Sequence, residues 1–127
     1  MNAVHSETEY YRSVLDNLTG GFLSVDLEGS VVYVNPTAGR ILHVSDIGVF
    51  VGRSYASALA DFPTLCGIIR DALATHQTVH RAEVSLMHGD AAMIIGYSTL
   101  QVKNRAGEYL GLGIIFQDLT LVARKKS

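Results

Sequence analysis

The stretch FLSVDLEGSVVYVNPTAGRIL, residues 22–42, constrains the fold of this chain more than any other part of it. Two β-prone runs, 22–25 and 30–34, flank Asp26-Leu27-Glu28-Gly29, where Asp26 and Gly29 suit turn conformations. The second run stops at Asn35-Pro36. Asparagine caps a helix through its side-chain oxygen, and proline fits the first turn because the missing N–H would have no partner there. Ala38, Ile41 and Leu42 then follow at helical spacing. The stretch predicts a hairpin that feeds directly into a short helix.

The flanks fit around that unit. Ser6-Glu7-Thr8-Glu9 has the form of a capping box, in which each end satisfies a free backbone donor at the other. Tyr11, Val14, Leu15 and Leu18 recur on one helical face, and Gly20-Gly21 ends the pattern. So short and one-sided a helix needs a sheet, or a second copy of itself, to cover its stripe. Residues 47–58 are punctuated by Gly48 and Gly52 and predict short helical turns. Asp61-Phe62-Pro63 opens a helix over about 63–76, with Leu65, Ile68, Ile69, Ala72 and Leu73 on its apolar side. Alternation around Ala82, Val84 and Leu86 predicts a strand over 79–86, a turn at 87–90, a strand over 92–103, a turn at 104–107 and a last strand over 109–116. Five antiparallel strands with helices on one face make an α+β domain. The expected division is an N-terminal amphipathic helix (1–20), a core (21–120) and the start of an outgoing linker helix (121–127).

Composition removes several functions. A chain of 127 residues forms one domain, and a net charge of −2 gives nucleic acid nothing to grip; the basic run is Arg124-Lys125-Lys126 at the end. One cysteine, Cys66, excludes an internal disulfide framework and suits the cytoplasm. The N-terminus is too polar for a signal peptide, and no apolar run approaches the roughly 20 residues that span a bilayer. No nucleophile elbow or phosphate loop is present, and no kinase phosphoacceptor box. The carboxylates Asp26, Glu28, Asp46, Asp90 and Glu108 fall in turns, while Gly111 and Gly113 sit mid-strand, where they allow close packing. The chain is not expected to be an enzyme, and no two histidines have zinc spacing supported by other ligands.

Gly21, Asp26, Gly29, Val31 and Asn35 follow the spacing of the G-x-x-x-x-D-x-x-G-x-I-x-x-x-N-x-A run of bacterial sensor PAS domains, and Ala38 stands one residue beyond the alanine of that run. The close, from Gly107-Glu108 through Ile114 to Asp118-Leu119-Thr120, is similar to the last strand and Asp-x-Thr signature of that family. From Tyr11 to Thr120 the chain thus resembles a PAS domain. The resemblance implies a sensory module in a larger signalling protein, such as a histidine kinase or transcriptional regulator, with a covalently linked output domain. It implies that Asp118 and Thr120 couple the sheet to the outgoing helix, and that Tyr11, Val14, Leu15 and Leu18 pair two copies in a homodimer.

It also implies that any ligand lies between the inner sheet face and the helices. Strand parity places Leu23, Val25, Ile95, Tyr97, Thr99, Leu112, Ile114 and Phe116 on that face, and the long helix adds Leu65, Cys66, Ile69 and Leu73. The lining is almost wholly apolar. It suits a small apolar ligand felt by Tyr97, Thr99 and Cys66, and equally a core filled by its own side chains. Flavin is not expected. The cysteine motif of light-oxygen-voltage relatives is absent, Ile95 stands where an amide is wanted, and Gln117 points outward, so flavin polar groups would go unpaired at roughly 1–3 kcal/mol each. Haem would need an axial ligand from His76, His80, His43 or Cys66, and His5 and His88 read as surface loop residues. No cofactor is the expectation. A small enzyme on a similar curved sheet would need an inward carboxylate or histidine, and parity places none on the strands.

Overall fold

The structure, a computed structural model, describes residues 6–122. Helix α1 (Glu7–Asp16) is followed by strands β1 (Gly21–Asp26) and β2 (Val31–Val34), helix α2 (Pro36–Ile41), a 3-10 turn (Ile47–Phe50), helices α3 (Tyr55–Ala58) and α4 (Pro63–Thr75), and strands β3 (Ala82–His88), β4 (Ala91–Lys103) and β5 (Tyr109–Asp118). The strands form one antiparallel sheet in the order β2-β1-β5-β4-β3. The last strand therefore lies at the centre, beside the first.

The hairpin closes as its residues dictate. Gly29 takes a left-handed φ of +87°, and Asp26 Oδ1 accepts from the backbone N–H of Glu28 and of Ser30. Asn35 Oδ1 then accepts from Ala38 N at 2.8 Å and caps α2, with Pro36 in the first turn. The same side chain does much more. Its oxygen also accepts from Phe22 N at 2.9 Å, and its amide donates to Leu15 O and Gly20 O, each at 3.0 Å. Asn35 is fully buried with every hydrogen-bonding position in use, so it ties α1, β1 and α2 together.

The inner face carries the core. Leu23, Val25, Ile95, Leu112, Ile114 and Phe116 are each no more than 2% exposed, against Leu65, Ile69 and Ala72 of α4 and Leu42, Phe50, Leu59 and Phe62 from the connecting segments. On the outer face, a Cβ at Gly113 would fall 2.9 Å from the Phe22 ring, and one at Gly96 would fall 2.7 Å from Leu119. These mid-strand glycines make room for a neighbouring side chain.

Several expected boundaries move. Residue 79 does lie on the sheet: Thr99 N donates to Val79 O, and Val79 N donates to Thr99 Oγ1. The ladder proper begins at Ala82, opposite Tyr97, so His80 and Arg81 together face Ser98. That extra residue is a bulge; Arg81 sits at φ +52° and its N–H donates to Ser98 Oγ. The turn expected over 87–90 tightens to Gly89-Asp90, because His88 still pairs with Ala91. His88 thus belongs to a strand, not a loop. Helix α4 starts after Phe62 without a side-chain cap, so Asp61 is not its cap, and it ends at His76, whose φ of +56° stops the helix. His5 and Arg124-Lys125-Lys126 lie outside the described residues.

Candidate functional site

Of the side chains expected to line a ligand space, Leu23, Val25, Leu65, Ile69, Ile95, Thr99, Leu112, Ile114 and Phe116 are buried together, while Cys66, Leu73 and Tyr97 lie half-buried at the margin. The two candidate polar sensors nearest the helices are already engaged. Thr99 Oγ1 accepts from Val79 N at 2.9 Å, as part of the tie that closes the bulged edge of β4. Cys66 Sγ donates to Leu59 O at 3.3 Å and packs beside the core. Burial raises the Cys66 pKa above the usual thiol value of 9.0, so the group stays protonated at neutral pH. Alkylation of Cys66 by iodoacetamide at pH 7–8 is accordingly expected to be slower in the folded protein than in denaturant, as intact-mass kinetics would read. Equal rates would place the thiol in open solvent.

The other haem candidates do not face the core. His76 is exposed at the end of α4 and stacks on Tyr109 with ring centroids 4.1 Å apart, and His43 and His80 are also exposed. Among the described residues the buried polar side chains are Asn35 and Thr99, and no group of three His, Cys, Asp or Glu side chains could hold a metal.

Open space lies beside the core. A cleft of about 340 Å³ runs between the second half of α4 and β4, lined by Ile68, Asp71, Ala72, Thr75, Gln77, Val79 and Tyr97. A groove of about 450 Å³ lies over the outer sheet face, floored by Gly96, Ser98 and Ile115 and rimmed by Arg81, Gln117 and Leu119. Apart from Tyr97, parity reasoning about the inner face singled out none of the cleft residues. They are contributed by the flank of α4 and by the bulge, which period-2 counting along strands does not register.

The exit from the sheet is tightly organised. Asp118 Oδ1 accepts from Thr120 N at 2.9 Å and from Thr120 Oγ1 at 2.5 Å. Thr120 Oγ1 in turn accepts from Ile94 N at 3.0 Å, and Leu119 N donates to Ile94 O at 2.7 Å. Residue chemistry at this strand end suits Thr120 to capping the outgoing helix and Asp118 to accepting backbone hydrogen bonds from the turn. Here Asp118 holds the first turn of the helix that begins at residue 120, while the Thr120 hydroxyl reaches sideways to β4. The two residues thus join β5, β4 and the outgoing chain in one network.

The expected dimer helix leaves its stripe in solvent. Tyr11 is 59% and Val14 47% exposed, Leu15 and Leu18 are half-buried, and Tyr10 adds a further exposed ring. No residue of α1 is buried. Its last turn and the residues after it meet the core through Leu15 O, Asp16 and Leu18 O. It ends next to the exit, since Gly21 pairs with Phe116 on β5.

Comparison with known proteins agrees with this architecture. The family model described as the PAS fold matches residues 15–124. The signal transduction histidine-protein kinase AtoS of Escherichia coli strain K12 is 31% identical over 115 residues, which cover 90% of this chain and 18% of the kinase. The chain therefore spans a small part of that relative's length. Among solved structures, the PAS domain of Bordetella pertussis BvgS aligns with a TM-score of 0.72 at 18% identity, over 95% of this chain and 94% of that one. The Vibrio cholerae VqmA dimer, reported with respect to LuxR-type receptors and their target DNA, aligns with a TM-score of 0.70 at 21% identity, over 94% of this chain and 54% of that one. At such identities the structural likeness speaks for the fold alone. No helix among the described residues is long and apolar enough to cross a membrane.

Proposed function

This chain belongs to the PAS fold family, and on that premise we propose that it is a dimeric relay module of a cytoplasmic signalling protein, with a core filled by its own side chains. Two copies pair through α1, and the change is passed along β5 to the Asp118–Thr120 network and on to an output domain of the histidine kinase or transcriptional regulator class. In this reading the N-terminal helix, the core to residue 120 and the segment after it serve as input, relay and output.

The observation that carries the reading is the apolar stripe of α1, regular in sequence and uncovered in the fold. Tyr10, Tyr11 and Val14 present adjacent apolar surface, and isolated helices this short are marginal in water unless such a face is buried. The filled inner face favours relay over ligand capture. Sedimentation velocity tests the pairing directly. The parent protein is expected to run as a dimer, and Val14→Glu as a monomer of unchanged fold. Losing about 1.5 kcal/mol of apolar burial on each of two copies weakens the dimer by roughly a hundredfold, and burying the new charges weakens it further. A dimer that survives Val14→Glu would rule out pairing through α1.

One observation favours a second reading, small-ligand sensing. The cleft beside Tyr97 is apolar at Ile68, Ala72 and Val79, polar at Thr75 and Gln77 and acidic at Asp71, a mixture that suits a small organic molecule with a donor or positive group. Mass spectrometry of a denatured extract of purified protein distinguishes the two: a stoichiometric small molecule favours sensing, and its absence together with a dimer favours relay.

A further inference from the structure

Three hydrogen bonds tie the C-terminal end of α1, and Leu18 just beyond it, to the corner where β2 turns into α2. The Tyr33 hydroxyl donates to Asp16 Oδ1, the Asn35 amide donates to Leu15 O at 3.0 Å, and Thr37 Oγ1 donates to Leu18 O at 3.1 Å. Two of these land on backbone carbonyls near the helix end, where they anchor its position with little leverage on its direction. The Tyr33–Asp16 bond is different. It is the only one of the three that grips a side chain projecting from the helix, so it fixes how far α1 is turned about its own axis.

Tyr33 is itself well placed for this. It projects from β2 onto the outer sheet face, half-buried, with its ring 6.1 Å from that of Phe22. Phe22 lies over Gly113 of β5, so the strand that leads to the exit supports the ring pair from below. Burial, with the Asp16 hydrogen bond, drives the phenol pKa upward, so the hydroxyl keeps the proton it donates. Beyond the bond lie Asn17, Leu18 and Thr19, outside any regular element, and then Gly20. This short connection lets the helix swing once its side-chain grip is lost.

We propose that Tyr33 and Asp16 form a latch that sets the rotation and direction of α1, and that opening it re-aims the apolar stripe by which two copies meet. Tyr33 acts as a positioning residue: it touches no partner copy, but decides which way Tyr11 and Val14 face. The inference deepens the pairing proposed above and rests on it for its consequence, though the latch itself is a property of one chain. It also gives the central strand a route to the input helix. A shift of β5 at Gly113 moves Phe22, Phe22 bears on Tyr33, and Tyr33 holds Asp16.

The test separates latch from pairing. Nitroxide labels are placed at Ser13 on α1 and Ser85 on β3 in a Cys66→Ser background, both sites exposed, and labelled chains are diluted into an excess of unlabelled protein so that only distances within one chain are read. The latched protein is expected to give one narrow distance distribution by pulsed electron resonance. Tyr33→Phe and Asp16→Ala, which removes the acceptor altogether, are each expected to broaden or shift it, and the double variant to match either single one. Circular dichroism should remain unchanged, because Asn35 and Thr37 still anchor the helix end. A distribution identical in all four proteins overturns the latch. Sedimentation of the same samples reports on pairing separately. A monomeric parent protein would sink the dimer while leaving the latch to be judged on the distances alone.

Discussion

Asn35→Ala is expected to lower the midpoint of thermal unfolding by about 10–20 °C, among the largest effects of any single substitution in this chain. Removal of the side chain takes one bond each from Phe22 N–H, Ala38 N–H, Gly20 C=O and Leu15 C=O; the first three bonds are buried, while Leu15 C=O is part-buried and keeps the N–H of Leu18. A buried group stripped of its hydrogen bond costs roughly 1–3 kcal/mol, and partial relaxation keeps the four together near 3–5 kcal/mol. A surface cap would cost only about 1 kcal/mol, so the size of the loss distinguishes a hub from a cap. Asn35→Asp sharpens the measurement. It keeps both acceptor bonds, and the N-terminus of α2 favours its charge, but the two donors to Leu15 O and Gly20 O are gone. The second carboxylate oxygen then faces two carbonyl oxygens at a buried position, so at neutral pH a loss at least as large as that of the alanine variant is expected by differential scanning calorimetry. A fall of less than about 4 °C for Asn35→Ala would mean that α1, β1 and α2 are held together by something else.

Asn35 also marks the boundary of what the sequence discloses. Its capping role was legible because a cap is local: an asparagine followed by proline and helical spacing carries the information within four residues. The bonds to Phe22, Gly20 and Leu15 span 13 to 20 residues of chain and are set by how β1 and α1 approach the corner. No periodicity encodes that approach. Inner-face residues were legible for the opposite reason. One side of an antiparallel sheet is covered, so Leu23, Val25, Ile95, Leu112, Ile114 and Phe116 declare themselves by alternation alone.

The same contrast holds at the candidate site. The exit pair, Asp118 and Thr120, could be named from residue type at a strand end, but the bond from Ile94 N depends on the pairing of β4 with β5 and turns the Thr120 hydroxyl from the outgoing helix to β4. The bulge at His80-Arg81 leaves a trace in the sequence, since Val79 falls out of phase with Ala82, Val84 and Leu86, but a strand read straight from 79 to 86 passes over it, and the φ of +52° at Arg81 appears only in the fold. The α1 stripe was visible as a stripe. On the pairing proposed above, what covers it belongs to a second chain, which a single sequence does not describe.

Phe116→Ala is the substitution that decides between a self-filled core and a ligand space. Its ring is 1% exposed at the centre of the sheet, and at Gly21 and the Ala38 backbone the packing is so close that a Cβ on Gly21 would stand 3.0 Å from both. If the core is filled by the protein alone, truncation leaves a dry apolar cavity that Leu23, Ile114 and α2 cannot close, because interiors relax only partly around a void. The expected loss is about 3–5 kcal/mol, or roughly 12–20 °C in the thermal midpoint of a domain this size. Such a cavity should accept a small aromatic molecule. Millimolar indole is expected to raise the midpoint of Phe116→Ala by several degrees through mass action on the folded state, while leaving the parent protein unchanged. Asn35→Ala is the control: it is equally destabilised but opens a polar gap, so indole should not rescue it. A ligand space in the unmodified domain predicts the reverse, with indole stabilising the parent protein and Phe116→Ala losing far less than a filled core demands. The outcome bears on mechanism as well as packing. In a filled core, Phe116 transmits force between α2 and β5 two residues before Asp118. A relay of that kind needs no bound molecule to connect α1 with the outgoing chain.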